Sequence, residues 1–378
     1  MKLLPAACLI LLALTAAPVF AQSVTLPPSG DNQHSEVSQS IGLVKVTITY
    51  NSPNVHAPDG TDRKGKIWGG LVPYGMANLG FGTCGDQCPW RGGANENTTF
   101  TVSHDVKVQG QPLPAGIYGL HFIPGKDEWT IIFSRNSTSW GSYFYDVKED
   151  ALRVTAKPAT SDYREFLTYE FTDREQASAT VQLAWEDLAL PWTIGVPNLD
   201  ELYIESMRRE LRTSPGFYWQ SWDGAANFCL TRKLNLAEAL TWAQTAVSAP
   251  FVGEANFTTL STLSGLQEEN GQAAESVKTF DRAINDPTAG PVQLHTLGRQ
   301  LLARKKTALG IKVLELNGRR FPGVWPTEVS LGRADAAAGR KAEALRHLKA
   351  ALKQAPDEGN RKNLEQAIGK VEKGEAID

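Results

Sequence analysis

Trp90-Arg91-Gly92-Gly93-Ala94-Asn95-Glu96-Asn97-Thr98-Thr99-Phe100 gathers a guanidinium, a carboxylate, two side-chain amides, two hydroxyls and two glycines between an indole and a phenyl ring. The glycines give the backbone freedom that a side chain would deny. Strand-like segments flank the stretch on both sides. A polar cluster seated between strands must find partners, because an unpaired buried polar group costs about 1–3 kcal/mol. Such a cluster is either a turn network that holds a sheet or a binding site, and the network reading is preferred.

Moving outward, Val44, Val46, Ile48 and Tyr50 alternate with Lys45, Thr47 and Thr49, the period of a half-buried strand. Asn51 to Lys66 is rich in Pro, Gly, Asn and Asp and reads as a long loop. On the other side, strands are expected at 99–102, 106–108, 117–123 and 129–133, the last two joined by the polar turn Pro124-Gly125-Lys126-Asp127-Glu128. Further strands are expected at 152–156, 167–171, 181–185 and 192–196. Many short strands with Gly/Pro punctuation indicate an antiparallel β-sandwich, jelly-roll-like, over residues 37–196.

Arg63-x-Gly65-Lys66-Ile67-Trp68-Gly69, Val72-Pro73-Tyr74-Gly75, Trp90-Arg91-x-Gly93-Ala94-Asn95, Leu113-Pro114-Ala115-Gly116-x-Tyr118 and Ile123-Pro124-Gly125-x-Asp127-Glu128-Trp129 follow in that order. Together these motifs resemble a bacterial domain-of-unknown-function family, number 2911, over roughly residues 35–196. The family's usual link from the Val-Pro turn to Trp-Arg is longer here, so Met76 to Pro89 resembles an insertion. The resemblance implies a secreted β domain and no established reaction.

Composition changes at Pro197-Asn198, where Trp becomes rarer and Ala, Leu, Glu, Lys and Arg rise. Asn235-Leu-Ala-Glu-Ala-Leu, Gly271-Gln-Ala-Ala-Glu-Ser and Gly339-Arg-Lys-Ala-Glu-Ala each open a helical pattern after a break, and Lys305-Lys306-Thr307-Ala308 sits midway between the last two. Ala246, Ala283, Asn317 and Ala351 line up late in those patterns, at intervals close to the roughly 34 residues of tetratricopeptide helix pairs. Residues 197–378 therefore resemble a degenerate tetratricopeptide-like repeat array of about four pairs plus a final helix near Asp357–Lys373. The fold class expected for the whole chain is α+β multidomain: a β-sandwich followed by helical repeats. Stacked helix pairs offer a concave surface suited to a peptide or protein, or serve as a rigid spacer.

The 378-residue length fits two or three domains. A net charge of -3 and a pI near 6.1 give no basic excess for nucleic acid. Residues 1–21 read as an export signal: Lys2, an apolar run over Leu9–Leu14, and Val19-Phe20-Ala21 before Gln22. Cys8 falls inside it. Cleavage near Ala21 would leave a loose lead over residues 22–36 and a periplasmic or extracellular protein with no transmembrane segment. In that compartment Cys84 and Cys88, spaced C-x3-C, read as a small disulfide loop; a metal pair is the alternative, without a matching second pair. Cys229 reads as a buried apolar residue.

His-Glu-x-x-His, Gly-x-Ser-x-Gly and the phosphate-binding glycine loop are absent from the sequence, and no metal or cofactor is expected. The candidate ligand-binding residues are Trp90, Arg91, Asn95, Glu96, His121 and Trp129. Arg91 suits a carboxylate or phosphate, Asn95 a substrate oxygen or a turn, and Glu96 either a general base or a partner for Arg91. His121 lies on the strand face opposite Tyr118, Leu120 and Phe122, toward solvent or a groove. Trp68, Trp90, Trp129 and Trp140 make either a core or an aromatic floor for a sugar. The leading expectation is an exported, non-enzymatic binding or scaffold protein for a protein, peptide or glycan. The alternative is a hydrolase with Arg91, Glu96 and His121 as weak catalytic candidates.

Overall fold

The computed structural model describes residues 27–377. The expected export signal, Cys8 and the cleavage point after Ala21 lie outside the described residues. The chain divides into two units between Leu199 and Asp200.

In the first unit, β1 (Gln33–Ile41) and β2 (Val44–Ser52) form a hairpin in the register Gln33↔Ser52 to Ile41↔Val44, turning at Gly42-Leu43. The lead expected over residues 22–36 is therefore strand from Gln33 onward. The polar residues of β1 leave no apolar alternation to read, and an edge strand with a solvated outer face needs none. β3 (Thr99–Val102), β4 (Val106–Val108), β5 (Gln111–Leu113), β6 (Gly116–Ile123), β7 (Trp129–Ser134), β8 (Asp150–Ala156), β9 (Ala159–Thr172) and β10 (Ser178–Gly195) follow. They form a six-stranded sheet, β1-β2-β3-β6-β7-β8, and a four-stranded sheet, β5-β4-β10-β9. All the paired strands are antiparallel.

The two strands expected at 181–185 and 192–196 are one long strand, β10. Glu186, at φ +57°, sits at a register shift against β9, and Pro191 follows it. Those two residues interrupt the apolar period without ending the strand, as a bulge does.

The alternation in β2 works as its pattern requires: Val44, Val46, Ile48 and Tyr50 are buried while Lys45 is exposed. The inner faces of the two sheets meet through aromatic pairs. Tyr50 on β2 lies 4.8 Å from Tyr169 on β9, and Phe122 on β6 lies 5.9 Å from Trp192 on β10, ring to ring. Trp129, Trp185, Trp192, Tyr169, Phe100, Phe122 and Phe133 are fully buried. Each such side chain contributes about 1.5–3 kcal/mol from its burial, so this aromatic layer is the main reason the sheets close.

The second unit is helical: α1 (Leu199–Glu210), α2 (Trp219–Arg232), α3 (Leu236–Ser248), α4 (Phe257–Glu269), α5 (Ala273–Asn285), α6 (Pro291–Ala303), α7 (Thr307–Arg320), α8 (Trp325–Ala337), α9 (Lys341–Leu352) and α10 (Glu358–Lys373). Successive pairs, α2 with α3, α4 with α5, α6 with α7 and α8 with α9, pack as hairpins, and α10 packs on α9. The recurrent Ala246, Ala283, Asn317 and Ala351 are all fully buried. Small residues let the helices approach: a Cβ on Gly298 of α6 would fall 2.4 Å from the Leu314 side chain of α7. Arg320 of α7 ties neighbouring pairs together by donating to the carbonyls of Ile284 (2.7 Å) and Asp286 (3.0 Å) at the end of α5. Asn256 caps α4 through a capping box with Thr259. Cys229 is buried and free, and burial pushes its thiol up to about 11.

Candidate binding cleft

The stretch from Trp90 to Phe100 is bolted to the sandwich at both ends. Trp90 and Phe122 exchange two backbone hydrogen bonds, of 2.8 and 2.7 Å, which extends the sheet beside β6. The indole of Trp90 then meets Trp68, Trp129 and Phe122 and stacks on Trp185 with rings 6.4 Å apart at 14°. At the far end, Thr99 and Phe100 enter β3.

Between these anchors the chain turns tightly. Gly92 has φ +65°, and a Cβ there would fall 2.5 Å from the Phe122 ring and 2.6 Å from the Tyr169 hydroxyl. Its carbonyl accepts a buried hydrogen bond of 2.7 Å from that hydroxyl. The Ala94 amide donates to the Asn51 carbonyl at 3.0 Å. Asn95, at φ +54°, takes the left-handed conformation that asparagine tolerates.

Arg91 and Glu96 do not pair. Arg91 Nη1 donates to the Asn95 carbonyl at 2.5 Å, and its guanidinium lies 5.1 Å over the Tyr143 ring. Glu96 is exposed and accepts from Asn51 Nδ2 at 2.8 Å. Asn97 Nδ2 donates to the Asn136 carbonyl at 3.3 Å. Arg91 braces the turn from within, whereas Asn95, Glu96 and Asn97 tie it to Ser29, Asn51 and Asn136, and Asn97 Oδ1 and Thr98 Oγ1 are buried with no hydrogen-bond partner among the described residues.

His121 faces neither solvent nor a groove. It is buried, with Nδ1 2.8 Å from Ser142 Oγ and its ring against Tyr145 at 5.5 Å. Strand alternation puts it on the outer face of the six-stranded sheet, and residues 136–149 fold over that face. Tyr145 anchors the covering segment by donating to Asp150 (2.9 Å) and accepting from Arg153 Nη2 (2.6 Å). Burial, helped by the nearby Arg91 charge, pushes His121 down to about 3. Arg91, Glu96 and His121 therefore each engage a different partner: a carbonyl, an amide and a hydroxyl.

Cys84 and Cys88 form a disulfide, with Cα atoms 5.1 Å apart. The pair packs on Ile132 and Tyr145, so the loop that carries it covers the same outer face as residues 136–149. Ala77 pairs with Cys88 through two backbone hydrogen bonds.

A cleft of about 320 Å³ opens beside this turn. Trp90, Arg91 and Asn95 line it, together with Arg63, Leu71, Leu79, Cys88 and Trp185. Glu96, His121 and Trp129 are not among its lining residues. Trp129 is fully buried in the aromatic layer, and Trp140 is half exposed outside it; Trp185 takes the place expected for them. Sequence reading misses Arg63, Leu71, Leu79 and Trp185 as site residues. They converge from a loop and from β10 with no shared spacing, and the only trace is that Arg63 opens the first of the collinear motifs. Among the described residues, no group of three or more His, Cys, Asp or Glu side chains could hold a metal ion.

No curated protein matches the sequence. Eleven chains of solved structures match it. One is YrrB, described as a TPR protein with an unusual peptide-binding site, at 15% identity, covering 45% of this chain and 86% of that one with a TM-score of 0.29. Another is a tetratricopeptide repeat protein from Parabacteroides merdae, at 14% identity, covering 47% and 68% with a TM-score of 0.30. The repeat assignment rests on the helix pairing within this chain rather than on those superpositions. A family model described as "Protein of unknown function (DUF2911)" matches residues 32–194. The β unit is thus a match to family DUF2911, as its collinear motifs indicate, and the helices after it lie outside the matched span.

Proposed function

We propose that the protein is an exported, non-enzymatic binding protein whose helical array docks a protein or peptide. The observation that carries this reading is a recess of about 270 Å³ where α6, α8 and α10 present Arg299, Arg333 and Lys370, with Asn363 and Gln366 between them. Arg299 and Lys370, with two amides, on alternate helices suit an acidic peptide segment, and stacked helix pairs offer extended surfaces for such partners. In the β unit, His121 is held neutral and buried, and Glu96 is engaged by Asn51, which supports recognition over acid–base chemistry there. Export is supported by the Cys84–Cys88 disulfide, since such bonds persist in oxidising compartments. No helix among the described residues is long and apolar enough to cross a membrane.

The test is fluorescence polarisation of a labelled peptide ending in four glutamates, titrated with the full chain at low salt. Binding that weakens at least about tenfold in Lys370→Glu supports the reading, because reversing a contacting charge replaces attraction with repulsion. Peptide binding that Lys370→Glu and Arg299→Glu leave unchanged, or no binding, rejects it. The export step is checked separately by mass spectrometry of the mature N-terminus, expected at Gln22.

A further inference from the structure

We propose that the cleft beside Trp90 is a binding site for a small organic carboxylate with an apolar body. Two arginines, Arg63 and Arg91, are among the residues that line the same cleft, and its lining holds no Asp or Glu. Neither arginine pairs with a carboxylate among the described residues. Arg63 donates to the carbonyls of Val55 (3.2 Å, from Nε) and Asn54 (2.5 Å, from Nη2), and Arg91 donates to that of Asn95. Carbonyl dipoles hold these side chains in place, and neither guanidinium forms an ion pair among the described residues. Asp59 lies within electrostatic reach of Arg63, yet it is fully exposed and turned onto the Thr61 amide at 2.9 Å.

The rest of the wall is apolar. Leu71 and Leu79 form an exposed rim, and Trp90 and Trp185 lie deeper. The Trp185 indole N–H is buried without a hydrogen-bond partner among the described residues. At about 320 Å³ the cleft sits at the low end of the range for small-molecule sites, which run from about 300 to 1,000 Å³. A planar guanidinium fork matches a carboxylate in two parallel hydrogen bonds. The indoles and leucines suit the ligand's hydrocarbon part. A bare phosphate would use the charge and leave the apolar wall uncovered.

The experiment follows tryptophan emission of the full chain during titration with phenylacetate, its methyl ester and inorganic phosphate. Phenylacetate is expected to change the emission and to bind at least tenfold more tightly than the ester or phosphate. Arg63→Gln is expected to weaken that binding by about tenfold or more, the equivalent of one charged hydrogen bond. Leu79→Glu places a negative charge on an exposed rim position, so it keeps the inference testable if the arginine variants fold poorly. It is expected to abolish phenylacetate binding while leaving the melting curve unchanged. Equal binding of acid and ester overturns the proposal. So does binding of phosphate but not phenylacetate, absence of binding at millimolar acid, or acid binding that survives both substitutions.

Discussion

The Tyr169 hydroxyl, on β9, donates a buried 2.7 Å hydrogen bond to the carbonyl of Gly92, so the four-stranded sheet directly holds the turn that shapes the cleft. Tyr169→Phe keeps the edge-on ring contacts with Tyr50 and Trp192 and removes only that bond. The orphaned carbonyl is expected to cost about 1–3 kcal/mol, read by urea unfolding followed through tryptophan emission. An unchanged midpoint would mean the turn is held by its other contacts.

Gly92→Ala is expected to cost more than Tyr169→Phe. The new Cβ meets both the Phe122 ring and the Tyr169 hydroxyl, and alanine is strained at φ +65°. Strain in that region alone is worth about 1–3 kcal/mol, and the clash adds to it. Matched unfolding curves of the two variants decide the order.

Arg91→Ala removes the hydrogen bond to the Asn95 carbonyl and the packing over Tyr143. A stability loss of about 1–2 kcal/mol is expected. A thermal melt that does not move would show that Arg91 serves the cleft alone and not the fold.

Acid should weaken both units. His121 is pushed down to about 3 by burial and the Arg91 charge, and His295 to about 4 by burial and the Arg333 and Arg299 charges. The unfolded chain takes up protons near pH 6.5 that these folded sites refuse, so stability rises with pH through this window. It is fully present above about pH 6.5 and is lost progressively as the pH falls toward 3–4. Unfolding midpoints measured from pH 7.5 down to pH 4.5 should show this slope, and His121→Asn should flatten the part reported by the β unit. A slope that persists unaltered in that variant would assign it to other groups.

The Cys84–Cys88 loop is short, so its loop-closure contribution is modest. Replacing both cysteines by serine should cost about 2 kcal/mol, checked by the melting temperature with and without reductant. Because Cys88 also lines the cleft, the same variant should bind phenylacetate more weakly than the parent protein.

The strands that sequence reading finds are those where one face is core and the other is wet, as in Val44, Val46, Ile48 and Tyr50. β1 escapes because it is polar on both faces, and β10 reads as two strands because Glu186 and Pro191 interrupt its apolar period. The helical half is legible because buried Ala246, Ala283, Asn317 and Ala351 recur at closely similar intervals. At the cleft, Trp90, Arg91 and Asn95 are visible as a cluster within six residues. Arg63 and Trp185 meet them only through the closing of the two sheets, a relation that no local pattern carries.

The most direct test of the cleft as a recognition site is the melting temperature of the full chain with phenylacetate or its methyl ester. A ligand that binds only the folded state raises it by mass action. The acid should raise the melting temperature of the parent protein in proportion to the logarithm of its concentration, with no rise for the ester and none in Leu79→Glu. Equal shifts from acid and ester, or an acid shift that survives Leu79→Glu, would contradict the account.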